Sequence, residues 1–233
     1  EFVTPRTNEV SQIPGIIAEY KKGAQNAKAA GFDGVHIHGA NGYLLDQFLQ
    51  DSTNRRTDKY GGSLENRARL MLEVTDAVCA VWGADRVGMH LAPRMDSHDM
   101  GDHDRLGTFT YVARELGRRK LGWIAAREQV IDANTRPVDS QGRPREIKNP
   151  ESIGPKLKAA FGGVYIANEG FTFESAQKAL AEGWADAVAF GKLFIANPDL
   201  PRRFASGAPL NDWNTATFYG GGAQGYVDYP ALP

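Results

Sequence analysis

Cysteine occurs once in these 233 residues, at position 79, which excludes an internal disulfide framework. Cys79 falls at an apolar helical spacing, the setting of a reduced core thiol rather than a reactive one. Long hydrophobic runs are missing as well: no stretch approaches bilayer-spanning length, and no charged-then-apolar leader stands at the start. The expectation is a cytoplasmic protein with no membrane partner. Neither charge sign is in excess. Lys and Arg number 27 against 28 Asp and Glu, a formal charge of −1, so nothing calls for nucleic acid or an anionic surface. An initiator methionine is also absent. The chain opens Glu1-Phe2-Val3 inside what reads as a loop, as a trimmed product or an incompletely captured gene would.

What remains is ordinary for a soluble globular protein, with 42% hydrophobic and 24% charged residues. The length allows a single domain over residues 1–233 with a sizeable core. Along it, helical and strand signals alternate. Ser11 can cap a helix with Pro14 in its first turn and Ile13, Ile16, Ile17, Tyr20, Ala24 and Ala27 on one face, ended by Gly31. Ser63 caps a second long helix that buries Leu64, Ala68, Met71, Thr75 and Val78 and stops at Gly83. Further helices are predicted over 108–119, about 151–161 and 172–183, and a short one starts at Asn197-Pro198-Asp199. Strands begin near Gly34, Arg86, Leu121, Gly163 and Asp186. Residues 129–150 are polar and aperiodic and read as a long lid, binding loop or insertion.

Strands separated by helices imply βαβ units and a parallel sheet. No glycine phosphate fingerprint follows the first strand, so a TIM (β/α)8 barrel fits better than a doubly wound dinucleotide fold. A closed barrel has eight βα units. The chain shows about five, so the expectation is an incomplete barrel lacking its amino-terminal part.

The densest chemistry lies in residues 31–62, GFDGVHIHGANGYLLDQFLQDSTNRRTDKYGG. Val35 and Ile37 alternate with His36 and His38 on a short strand, and His38, Asn41 and Tyr43 crowd its carboxyl end within six residues. In a barrel the active site lies at that end of the strands. His38, Asn41, His90, Arg94, Glu128, Asn168 and Lys192 would converge there. Four groups have a plainer alternative: His38 as a core histidine, Asn41 as a helix cap, Tyr43 as packing, Lys192 as a solvated charge. The arginines at 55, 56, 67 and 69 read as a structural or surface network.

The run HGANGYLLDQFL at 38–49, followed by NRRTDKYGGSLENRAR at 54–69, closely resembles the old yellow enzyme family of FMN-dependent ene-reductases. AFGKLFIANPDL at 189–200 and TFYGGGAQGYVDYP at 217–230 fit the same family, and the likeness covers nearly the whole chain as the family's carboxyl-terminal part. The resemblance implies that NAD(P)H reduces bound FMN and leaves, after which an electrophilic alkene or nitro compound stacks over the flavin. Its carbonyl or nitro oxygen would be held by His38 and Asn41 while flavin N5 gives hydride to the β-carbon, and Tyr43 would deliver a proton to the α-carbon. By the same resemblance Asn168, Gly170, Gly191 and Lys192 form the FMN phosphate cradle, and Tyr219 matches the family's active-site tyrosine near the chain end. Two departures stand out. Lys192 replaces a common arginine, keeping charge but losing the bidentate fork. His90 replaces the arginine that contacts the flavin's pyrimidine edge, with Arg94 or Arg127 as replacements for its charge.

Two other readings are open on the sequence. His36-x-His38 puts two imidazoles on one strand face with His90 on the next strand, a pattern that some metal-dependent barrel hydrolases use. Against it, Gly191-Lys192 places a cation where such enzymes carry a late aspartate. The third reading is an inactive barrel fragment: without the missing strands, parallel edges stay open and the 233 residues alone bind FMN weakly or not at all.

Overall fold

The computed structural model describes residues 6–94, 100–127, 152–220 and 222–233. Five strands, β1 (Val35–Gly39), β2 (Val87–Leu91), β3 (Trp123–Arg127), β4 (Val164–Asn168) and β5 (Ala187–Ala189), form one sheet in sequence order with every neighbouring pair parallel. Sequential order is the winding of a barrel wall; a doubly wound sheet reverses its order at a switch point.

Helices link the strands. They are α1 (Ile13–Ala29), α2 (Leu44–Leu49), α3 (Leu64–Trp82), α4 (Arg105–Arg118), α5 (Gly154–Phe161), α6 (Phe173–Ala181), α7 (Lys192–Ala196) and α8 (Leu200–Ser206). The boundaries follow local chemistry. Ser63 Oγ caps α3 by accepting from the Asn66 N–H, and Gly83 ends it at φ +82, a conformation open to glycine. Thr172 and Ser175 cap α6 reciprocally.

Two predicted starts move. Ser11 does not cap α1: it lies inside a 3-10 turn, Val10–Gln12, whose own box joins Glu9 to Gln12, and α1 grows directly from it. The fourth helix begins at Arg105, not at Thr108, because Asp104 Oδ1 accepts the Gly107 N–H at 2.9 Å and supplies the cap. The third strand begins at Trp123, two residues after the expected Leu121, and takes in Arg127. The predicted loop over 129–150 lies outside the described residues, as does Glu128.

The two sheet faces have opposite characters. Ile37, Met89, Leu91, Ile124, Ala126, Tyr165 and Ala167 point into the helix layer and are almost wholly buried with Leu70, Met71, Phe109, Leu116 and Leu157. The helix-free face is ordered by strand register. His36, Gly88, Trp123 and Val164 stand in one row; His38, His90, Ala125 and Ile166 stand in the next, nearer the carboxyl ends. Gly88 is needed there, because a Cβ on it would fall 2.1 Å from the Trp123 indole.

The arginines form the expected structural network. Arg67 is buried and donates to Leu49 O at 2.8 Å and Gly62 O at 2.9 Å while facing the Asp102 carboxylate at 3.3 Å. Arg56 donates to Asn8 O at 2.7 Å and pairs with Asp58 at 2.6 Å. Cys79 is half-buried on α3, and burial pushes its thiol up to about 11, which suits a packed thiol and not a nucleophile. Among the described residues no helix is long and apolar enough to cross a membrane.

Candidate active site

β1 and β2 bring His38 and His90 side by side at paired positions, with Nδ1 atoms 3.4 Å apart and rings 5.4 Å apart. His36 lies one row below, 5.8 Å from His90 and edge-on to Trp123 at 5.8 Å. An Nδ1–Nδ1 contact needs one donor and one acceptor, so the pair suits neutral imidazoles. The electrostatics agree. Desolvation lowers all three pKa values and takes His90 to about 4, helped by the charges of His36, His38 and Arg127. For His36, a hydrogen bond with the Met89 backbone opposes part of that shift. At neutral pH the cluster is uncharged.

The turn after β1 carries the next two groups. Asn41 and Gly42 both take left-handed backbone, φ +61 and +73, which swings the chain back across the strand ends. Tyr43 is then the N-cap of α2, its ring 5.5 Å from that of His38 and 59% exposed. Asn41 is therefore not the cap of that helix.

The turn is fixed from beneath by Asp46, fully buried in the first turn of α2. Its Oδ2 accepts the Gly42 N–H at 2.9 Å, and its Oδ1 accepts Gln50 Nε2 at 2.8 Å. Gln47 Nε2 donates to Gly42 O at 2.6 Å. Burial drives the Asp46 pKa up to about 6, against the pull of Gln50, the Gly42 amide and the Arg127 charge.

Across the rim, at the ends of β3 and β4, Arg127 Nε donates to Glu169 Oε2 at 2.8 Å, and its Nη2 bonds the other carboxylate oxygen. Arg127 Nη1 donates to Asn41 Oδ1 at 2.7 Å. Glu169 and Gly170 take φ +75 and +79, and Asn168 Nδ2 donates to Ala189 O at 2.8 Å, tying the end of β4 to that of β5. Gly191 and Lys192 follow β5 after Phe190, and both are exposed.

The structure thus gathers His38, Asn41, Tyr43 and His90, and Arg127 joins them to the stretch of Asn168 and Gly170. Tyr219 is not gathered: it follows the 3-10 turn Thr215–Thr217 and is 99% exposed, so no packing places its ring. Arg94 is buried at the end of β2. Sequence reasoning missed the roles of Asp46 and of the Arg127–Glu169 pair. An acid three residues past Tyr43, at the first turn of a helix, was the available signal for Asp46. The sequence offered Arg127 as a replacement charge for the arginine that His90 displaces, but nothing local paired it with Asn41 or Glu169.

Among the described residues the histidine pattern is not compact enough for a metal centre. Among the described residues the group compact enough to hold an ion is Asp51, Asp102 and His103, not His36, His38 and His90. That group is already satisfied: Asp51 is bonded to the His103 ring, and Asp102 accepts from Thr108 Oγ1 at 3.0 Å beside the Arg67 guanidinium.

The profile of the family described as NADH:flavin oxidoreductase / NADH oxidase matches residues 3–211. The chain belongs to that family. It is 42% identical over 232 residues to 12-oxophytodienoate reductase 2 of Arabidopsis thaliana, covering 99% of this chain and 59% of the relative. It is 45% identical over 232 residues to 12-oxophytodienoate reductase 1 of Oryza sativa subsp. japonica, with the same 99% and 59% coverage. Among solved structures, morphinone reductase in complex with tetrahydroNAD superposes with a TM-score of 0.87 at 44% identity, over 99% of this chain and 59% of that one. The old yellow enzyme homologue from Zymomonas mobilis gives a TM-score of 0.89 at 38% identity, over 99% and 62%. The chain therefore spans about six tenths of the length of these relatives. Its five parallel strands are those of an incomplete (β/α)8 barrel of the old yellow enzyme type.

Proposed function

We propose that this protein is an FMN-dependent oxidoreductase that uses NAD(P)H to reduce the activated C=C bond of enones, nitroalkenes or similar electrophiles. The observation that carries the reading is the meeting of His38, Asn41 and Tyr43 at one strand end, with the Tyr43 ring 5.5 Å from that of His38; desolvation, which lowers the His38 pKa, favours its neutral form. Membership of a flavin oxidoreductase family supports the cofactor. The likeness to a morphinone reductase holding tetrahydroNAD supports a nicotinamide reductant.

The residues at the rim fit FMN. Beyond its own chain neighbours, no atom lies within 4 Å of where a Cβ on Gly191 would stand, and Gly170 holds a left-handed φ of +79. Backbone N–H groups can therefore come close to a phosphate, with the exposed Lys192 as point charge. The Glu169 carboxylate would repel that phosphate, but it is paired with Arg127. His90 offers a neutral ring where the resemblance expects arginine, and the Arg127 charge lies near enough to act on it. Tyr219 belongs to this reading as a cofactor contact. Bound there, FMN supplies the two-electron exchange between NAD(P)H and the alkene.

The chain's own groups do the rest. His38 and Asn41 donate hydrogen bonds to the carbonyl or nitro oxygen and steady the charge that grows on it, at about 3 kcal/mol of barrier for one such donor. Tyr43 passes its phenolic proton to the α-carbon. The remaining strands of a barrel would cover the helix-free face, and without them we expect the 233 residues to bind FMN weakly; a tight, yellow complex of this chain alone would overturn that point.

The activity is tested with purified protein, excess FMN, NADH or NADPH, and cyclohexenone, a nitroalkene or N-ethylmaleimide. The expected result is nicotinamide oxidation that needs both flavin and alkene and that falls about 100-fold in His38→Ala. No flavin-dependent alkene reduction at saturating FMN would overturn the reading.

A further inference from the structure

We propose that Arg127, braced by Glu169, is a positioning residue that sets which end of the Asn41 carboxamide faces the substrate. The inference rests on the function proposed above and extends it to a residue on a different strand from the His38 turn.

The geometry carries the argument. Arg127 ends β3, and its side chain passes over the end of β2 to reach the turn after β1, where Nη1 donates to Asn41 Oδ1 at 2.7 Å. A guanidinium has donors only, so it can bond the amide oxygen and never the amide NH2. With Oδ1 committed to Arg127, the amide turns its donor end, not its carbonyl, the other way. A donor is what a carbonyl or nitro oxygen gaining negative charge requires. An Asn41 flipped by 180° would present an acceptor to that oxygen and oppose the reaction.

Glu169 makes the arrangement stiff. It takes Nε at 2.8 Å and Nη2 through its two carboxylate oxygens, a bidentate grip that fixes the plane of the guanidinium. The pair is partly shielded, at 24% and 28% side-chain exposure, and each end rests on left-handed backbone, φ +61 at Asn41 and +75 at Glu169. Ion pairs that stay in contact with solvent add little stability, so the consequence of this partly shielded one is orientation. The paired carboxylate also stops Arg127 from swinging to the substrate oxygen itself.

The test is a double-mutant cycle on kcat/KM for an enone, with Arg127→Met, Asn41→Ala and the combined variant. Arg127→Met should lower kcat/KM by about tenfold or more in the wild-type background. In the Asn41→Ala background its effect should shrink to less than about twofold, because the residue acts through Asn41. Arg127→Lys, which keeps a donor for Oδ1, should recover part of the loss. A merely structural role would give additive losses in the cycle, and that result would overturn the proposal. The second readout needs no activity: the Asn41 side-chain amide resonance of the flavin-free protein should shift in Arg127→Met and stay put in Lys22→Ala. If no protein reduces alkenes but that resonance shifts, the function fails and the Arg127–Asn41 link stands. An unmoved resonance overturns the link whatever the activity.

Discussion

Asp46 reaches back from the first turn of α2 to hold the Gly42 N–H at 2.9 Å, from a position with no solvent access. A buried carboxylate thus sets the turn that presents Asn41 and Tyr43, and the cost of its burial gives it a titration in a useful range.

Asp46 has a folded pKa raised from 3.8 to about 6, so the folded protein holds its proton more tightly than the unfolded chain does. Its contribution to stability is fully present below pH 3.8 and is lost as pH rises through 6. Asp46→Asn takes up no proton, although its amide NH2 turns toward one of the two donors that the carboxylate accepts. Relative to wild type, the variant should therefore gain an amount on the order of 3 kcal/mol between pH 4 and pH 8. Urea denaturation of both proteins at the two pH values reads the difference; a gap that does not change with pH would refute the assignment.

His90 carries the opposite sign. Its folded pKa is depressed from 6.5 to about 4, so its contribution is present above 6.5 and lost as pH falls through 4. Wild type should lose stability over that window faster than His90→Gln, whose side chain takes up no proton. Thermal denaturation at pH 7 and pH 4.5 tests this, and parallel losses in the two proteins would count against it.

Gly88 makes room for Trp123. A methyl group there would start 2.1 Å from the indole, so Gly88→Ala has to displace a ring that packs on His36. The expected loss is about 1–3 kcal/mol, typical of overpacking. A changed tryptophan emission spectrum should accompany it. A variant with wild-type stability and emission would show that the indole position is soft.

Arg67 neutralises Asp102, whose side chain is 0% exposed, and also bonds two backbone carbonyls. Arg67→Met strands that carboxylate and should destabilise the fold by about 3–5 kcal/mol. Arg67→Lys should rescue little, since one ammonium cannot reach the carbonyls of Leu49 and Gly62 and the carboxylate together. Denaturation midpoints of the two variants decide it.

Much of the scaffold was legible in the residues. The face of α1, from Ile13 through Tyr20 to Ala27, follows from spacing alone, and Ser63 and Gly83 mark both ends of α3 because caps are chemistry of single residues. The helix starts at Gln12 and Asp104 were misread for a related reason: each depends on which of several nearby polar groups captures the N–H first. The crowding of His38, Asn41 and Tyr43 was also legible, since a strand end and one turn hold all three. Tyr219 was not, because a tail residue takes its place from whatever packs on it.

By itself the sequence determined the alternation of strands and helices and the turn that carries three polar groups, both set by interactions within a few residues; a parallel sheet follows from that alternation because each crossover carries a helix. The tertiary structure alone decided that Arg127 meets Asn41, 86 positions away, and grips Glu169, 42 positions on. The same register of strands brought the three histidines together on the helix-free face, where their crowding favours the neutral form. Charge and orientation at a site depend on distances across strands, and no local pattern encodes those.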